Sequence, residues 1–269
     1  METDLPRRAY ITSFGQGEGE AGIIDLDTPA NWPTPVRTFL ADHHALFLDW
    51  ATVQETSTAR EYDRAIYSLA DLLRQYSLVA WHCTRLADHE IESIKASGME
   101  PLSEPMLYRR IDAAIAAGLL TPDDAAMLKS KHQASQENRT KRLWFCFYPP
   151  SQSGETGIAD LLDLWGGEAL YNSHDRDPTL GPKLRSIGTP CLVEAEIPIA
   201  MLGNGHRPTL TVVALYLRSR GLDNADHLVF EDRITEPLPP HKVRRVIRYP
   251  DADFLHLTGC EPWASRFQI

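Results

Sequence analysis

His82 and Thr84 are residues whose types and spacing could do chemistry. They stand two apart at the end of an apolar run, Leu78-Val79-Ala80-Trp81-His82-Cys83-Thr84-Arg85. Side chains alternate faces along a strand, so the imidazole and the hydroxyl project together while Cys83 projects the other way. Such a pair makes a polar ledge at the rim of a sheet, where ligand hydroxyls can be held. The same residues also suit a plain strand end, with His82 on a backbone carbonyl and Thr84 capping the next helix. Cys83 is a poor candidate nucleophile, because the adjacent histidine faces away from it.

Other chemical signatures are weak or missing. Gly17-Glu18-Gly19-Glu20-Ala21-Gly22 has the spelling of a dinucleotide-binding loop. A short strand-like segment follows where a helix N-terminus is required, and two glutamates stand where phosphate should go. It reads as a flexible loop. The ten histidines adopt no H-E-x-x-H or other metal spacing, so no metal is expected. No G-x-S-x-G elbow and no Walker lysine is present. The glycine pair in Trp165-Gly166-Gly167-Glu168 either ends a helix or admits a close neighbour, which leaves Trp165 and Glu168 as cleft candidates.

The surrounding elements must position these groups. Ile66, Leu69, Leu72 and Leu73 form one helical stripe within 61–76. A strand is expected at 78–83, then a helix to Ala96 stopped by Gly98. Residues 104–133 read as a helical hairpin whose second arm starts at Thr121-Pro122-Asp123-Asp124. Strands follow at 142–150, 190–202, 227–234 and 241–249, with a helix at 157–171. Strands separated by unequal helical insertions point to an α+β fold rather than regular βαβ winding. Residues 1–60 look irregular and are expected to form an N-terminal extension to a domain over 61–269.

The chain has 269 residues, enough for one large domain with an extension. A net charge of -10 excludes a general binder of nucleic acid or membrane surfaces. Lys242, Arg244, Arg245 and Arg248 form one dense basic cluster, but strand alternation puts it on both faces rather than in a stripe. The longest apolar stretches, 114–120 and 212–217, are too short to span a bilayer. The charged start, METDLPRRAY, is not a secretory leader, and the four cysteines are scattered as in a reduced protein. A cytoplasmic location without membrane partners is expected.

Read in order, the motifs carry a resemblance. The stretch "LVAWHCTRLADHEIESIKASGMEPLS" resembles the first core strand and helix of the ADP-ribosyltransferase superfamily, especially poly(ADP-ribose) polymerase-like catalytic domains, where a strand ends in W-H-G-[ST]-R. Cys83 stands where that family usually has glycine. "RLWFCFYPP" with "GIADLLDLWGGEALY" is similar to the family's aromatic strand and short helix. The stacking tyrosine of the family falls near Trp144 or Phe145, with Tyr148 close by. "PCLVEAEIPIAMLGN" is similar to a further core strand. In "VFEDRITEPLPPHKVRRVIRY", Glu231 precedes the strand opened by Val243 at a spacing also similar to DarT-type toxins. The likeness spans roughly residues 78–250, and the order of the motifs carries more than any one of them.

The resemblance implies a split, mixed β-sheet core with helical insertions and NAD as substrate. It implies transfer of ADP-ribose through an oxocarbenium-like transition state. Glu231 would be the catalytic carboxylate that stabilises that charge. His82 would hold a ribose and take part in the site, with Thr84 beside it. Arg85 would grip a phosphate, and Trp144 or Phe145 would stack on nicotinamide. The rival acids are Glu194 and Glu196, an E-x-E on one strand face, and then Glu236 at a turn before Pro237. The acceptor would be a protein or nucleic acid, and by analogy the chain would be a toxin or defence effector with an antitoxin or regulator. Alternatives are an NAD glycohydrolase on the same fold and a non-catalytic module that binds a nucleotide or partner.

Overall fold

The computed structural model describes residues 22–53, 57–222 and 228–267. The glycine-rich loop at 17–21, the rest of the first 21 residues and the start of the 227–234 strand lie outside the described residues. Among the described residues six strands form one sheet: β1 (Ile23–Ile24), β2 (Ser77–Leu86), β3 (Leu143–Cys146), β4 (Thr189–Pro198), β5 (Glu231–Ile234) and β6 (Val243–Arg248). Their order is β5-β3-β2-β4-β6, antiparallel throughout, and β1 adds a short parallel pairing at the start of β2. The chain is therefore mixed α and β around an open, mainly antiparallel sheet, in keeping with an α+β architecture.

Helices cover both faces. Those early in the chain are α1 (Thr34–Asp42), α2 (His44–Ala51), α3 (Ala59–Leu73), α4 (Asp88–Ser97), α5 (Glu104–Ala116) and α6 (Pro122–Ser130). Later come α7 (Gly154–Asp163), α8 (Tyr171–His174), α9 (Leu180–Ser186), α10 (His206–Ser219) and α11 (Ala252–Thr258). Thr121 and Asp124 form the expected reciprocal cap at the start of α6, and Thr58 with Glu61 does the same for α3. Gly98 ends α4 at φ 81°, and any side chain there would collide with the Leu238 carbonyl.

Alternation along β2 divides the cores. Leu78 and Ala80 join Val193, Ala195 and Ile197 in the core beneath α1, α2, α3 and α10. Val79, Trp81 and Cys83 face the opposite layer, with Ile158 and Leu162 of α7 and Phe254 of α11. A third core binds α5, α6 and α9 around Trp165. No helix among the described residues is long and apolar enough to cross a membrane.

One expectation fails here. Residues 1–60 were expected to be irregular, but the described residues among them carry β1, α1, α2 and the start of α3. Trp32, Val36, Leu40 and Phe47 lie in the same core as the sheet, and Ile24 pairs with Leu78. The described part of the extension is thus built into the domain, and residue 60 marks no boundary there. Helices of eight and nine residues are marginal alone, and their stability comes from the core they cover.

Candidate functional site

The sheet opens beside its central strand. β2 and β4 pair along ten residues, from Ser77 against Pro198 to Leu86 against Thr189. On its other edge β2 meets β3 through the single pair Trp81–Cys146. The unpaired stretch beyond that point borders a cavity of about 820 Å³, walled by β2, β3, α4, α5, α7 and the glycine turn at 166–167. That volume suits a ligand of nucleotide size.

His82 sits half-buried on this wall and donates from Nδ1 to the Trp144 carbonyl at 2.9 Å. A carbonyl only accepts, so the neutral ring keeps its proton on Nδ1 and leaves Nε2 as an acceptor. Burial lowers the His82 pKa from its ordinary value, and the nearby Arg110 charge acts in the same direction against the carbonyl bond. Thr84 is buried on the same wall. The ledge expected from the alternation is therefore present, and His82 also has the backbone partner of an ordinary strand end. Thr84 does not cap a helix, because β2 runs on to Leu86 and α4 is capped at Ala87.

Glu231 begins β5 opposite Cys146. Tyr148 donates to Glu231 Oε1 at 2.6 Å, and its hydroxyl also lies 2.7 Å from Ser153 Oγ. Cys146 Sγ is 4.0 Å from the same carboxylate oxygen. Burial raises the Tyr148 pKa, and the Glu231 carboxylate raises it further, so the phenol remains a donor. Cross-strand partners share a face, so Trp81, Cys146 and Glu231 lie on one side of the sheet and His82 and Phe145 on the other. His82 and Glu231 nevertheless line one cavity, because the opening between β2 and β3 joins the two faces.

A second polar group anchors the far wall. Glu90 accepts from Ala87 N at 2.8 Å, from Trp165 Nε1 at 2.7 Å and from Arg110 Nε at 2.6 Å. The Arg110 guanidinium stands 5.0 Å over the Trp165 ring. Trp165 is fully buried and lies behind the wall, whereas Gly166, Gly167 and Glu168 line it. Four buried nitrogens on the wall, Trp81 Nε1, His89 Nε2, Arg110 Nη2 and Arg139 Nε, have no hydrogen-bond partner among the described residues. Buried polar groups are nearly always paired, so this concentration marks the cavity as a place for a polar ligand.

Several expected site residues lie elsewhere or act otherwise. Arg85 is 0% exposed, and its guanidinium donates to the carbonyls of Ile187 and Leu162 beneath α7. Alternation sends Arg85 to the face opposite His82 and Thr84, and there its guanidinium is sealed beneath α7 and off the cavity wall, so it is no cavity phosphate ligand. Trp144 is 37% exposed, with the Arg233 guanidinium 5.3 Å from its ring, while Phe145 is buried in the core 5.9 Å from the His82 ring. Both touch the cavity, but Trp144 presents the more accessible face.

Glu194 accepts from Arg245 at 3.0 Å and lies 3.3 Å from Arg244. Glu196 lies 3.6 Å from Lys242. These acids neutralise the basic cluster at and just before β6 and are absent from the cavity wall. Glu236 lies exposed past the end of β5, also off the wall. Sequence reasoning missed Glu90, Arg110, Arg139 and Arg142, which stand on helices and loops with no motif spacing. Among the described residues no group of three His, Cys, Asp or Glu side chains could hold a metal.

Comparison of the chain with protein-family models, with curated proteins and with solved structures finds no significant match in any of the three.

Proposed function

We propose that the chain binds NAD across the opening between β2 and β3 and transfers ADP-ribose from it to a macromolecular acceptor. The observation that carries this reading is the single cavity that gathers His82, Thr84, Trp144, Phe145 and Glu231, residues widely spaced in the chain. It is supported by the order of motifs that resembles the ADP-ribosyltransferase superfamily, and the split-sheet fold of that superfamily belongs to the same proposal. Glu231 stabilises the oxocarbenium-like ribose and orients the acceptor, Tyr148 holds the carboxylate, and His82 Nε2 accepts from a ribose hydroxyl. Trp144 stacks on the nicotinamide. A role as a cytoplasmic toxin or defence effector with a cognate regulator follows from the same resemblance.

A second reading, a non-catalytic nucleotide-binding module, draws on Cys83, which lines the cavity at the position where the resembling family has glycine. The test is nicotinamide release from NAD by wild type and Glu231→Gln, with and without cell lysate. Lysate-dependent release that falls about a hundred- to a thousandfold in the variant supports transfer. Release without lysate points to a glycohydrolase. NAD binding with no release, or release untouched by Glu231→Gln, overturns the assignment of Glu231.

A further inference from the structure

We propose that Arg142, Arg139 and Arg110 form a phosphate site at the end of the cavity remote from Glu231, so that the ligand is a nucleotide diphosphate. The proposal rests on the nucleotide reading above and deepens it by placing the phosphate on residues outside every motif. Four arginines line the cavity, and three have carboxylate neighbours: Arg109 with Glu100, Arg110 with Glu90 and Arg139 with Glu168. Arg142 is the exception among the described residues: its guanidinium donates to the Asn138 carbonyl at 3.0 Å and meets no carboxylate. Glu231 is the matching exception among the cavity carboxylates, with Tyr148 and Cys146 as neighbours and no cation among the described residues. A guanidinium and a carboxylate, each without a counter-charge, thus face one cavity.

Their spacing is set by β3. Arg142 immediately precedes the strand, and Glu231 pairs with its last residue, Cys146. Four residues at about 3.3 Å each separate the two ends by about 13 Å. A ligand that reacts at one end and carries phosphate along its length fits this span. The two neighbouring arginines add donors already fixed in place. Arg110 is held by Glu90 and keeps Nη2 buried and unpartnered, and Arg139 Nε makes no hydrogen bond although Glu168 lies 3.4 Å away. Arginine forks match phosphate oxygens, and such donors act strongly where the wall excludes water.

The backbone supports the same conclusion. Lys141 N donates to the Leu102 carbonyl and Leu102 N donates to the Arg142 carbonyl, which docks this segment beside α5. Lys141 holds φ 57°, a left-handed conformation costly for a side chain of its kind. Retained strain of this sort gathers at ligand-holding sites.

The experiment is calorimetric titration of the whole chain with ADP, AMP, adenosine and inorganic diphosphate. Wild type is expected to bind ADP about ten- to a hundredfold more tightly than adenosine, with AMP between them. Arg142→Gln is expected to remove most of that difference while leaving adenosine affinity within about twofold, and Arg142→Lys to restore part of it. Arg139→Gln provides an independent variant should Arg142→Gln fold poorly. Equal affinity for ADP and adenosine, absence of ADP binding, or equal weakening of both ligands by Arg142→Gln overturns the proposal. ADP binding that depends on Arg142 in a chain that releases no nicotinamide would sink the transfer reading alone. Nicotinamide release with unchanged NAD affinity in Arg142→Gln would sink the phosphate site alone.

Discussion

Replacing Glu90 by glutamine should destabilise the fold by about 3 kcal/mol at pH 7. The wild-type carboxylate serves three donors: Oε2 takes Ala87 N and Trp165 Nε1, and Oε1 takes Arg110 Nε. A glutamine has one oxygen, so in either orientation its amide nitrogen faces a donor. The side chains of Glu90 and Arg110 are 9% and 21% exposed, so the orphaned guanidinium has little water to turn to. Breaking one side of a buried pair costs about 3–5 kcal/mol, and the residual exposure of Arg110 places this case at the lower end. At about 2–4 °C per kcal/mol, the midpoint should fall by about 6 to 12 °C. Urea unfolding at several pH values provides the assay.

The sign with pH follows from the carboxyl. Burial alone would raise the Glu90 pKa, but the Arg110 charge, its hydrogen bond and the bonds from Ala87 and Trp165 outweigh it and hold the value below 4.5. A depressed folded pKa gives stability that is present above the unfolded value and lost as pH falls through the folded one. The gap between wild type and variant should therefore be full at pH 7 and should narrow as pH drops below about 4.5. A loss under about 1 kcal/mol, or a gap unchanged with pH, would refute the reasoning.

Two further outcomes bear on the cavity itself. Tyr148→Phe removes the 2.6 Å bond to Glu231 and should slow nicotinamide release about tenfold with little change in NAD affinity; a rate within twofold of wild type would show that Glu231 needs no such support. N-ethylmaleimide at pH 8 should modify the half-buried Cys146 first, since Cys83, Cys191 and Cys260 are buried and burial pushes the Cys191 thiol up to about 12. NAD, whose nicotinamide end would lie beside Glu231, should slow the modification of Cys146 several-fold by mass spectrometry; equal labelling of Cys191, or no protection, would contradict the placement of Cys146 on the ligand wall.

The sequence by itself determined the parts of this protein that depend on local rules. The strand through His82, the strands at β3, β4, β5 and β6, the helix caps at Thr121 and Gly98, and the common face of His82 and Thr84 all follow from alternation and backbone preference. Arg85 was legible by the same alternation, which places it opposite Thr84 once the strand is known to run to Leu86. The short helices α1 and α2, and α10 over the apolar run at 212–217, were not, because their stability lies in the core they cover rather than in their own turns. Tertiary structure alone decided where the sheet opens, since one residue pair joins β2 to β3 while ten join β2 to β4. It also decided which acid stands free: Glu194 and Glu196 meet the arginines of β6 and Lys242 just before it, whereas Glu231 meets a phenol and a thiol. Counter-charges come from strands and helices distant in the chain, so the fate of each carboxylate is a property of the packing and not of its neighbours in sequence.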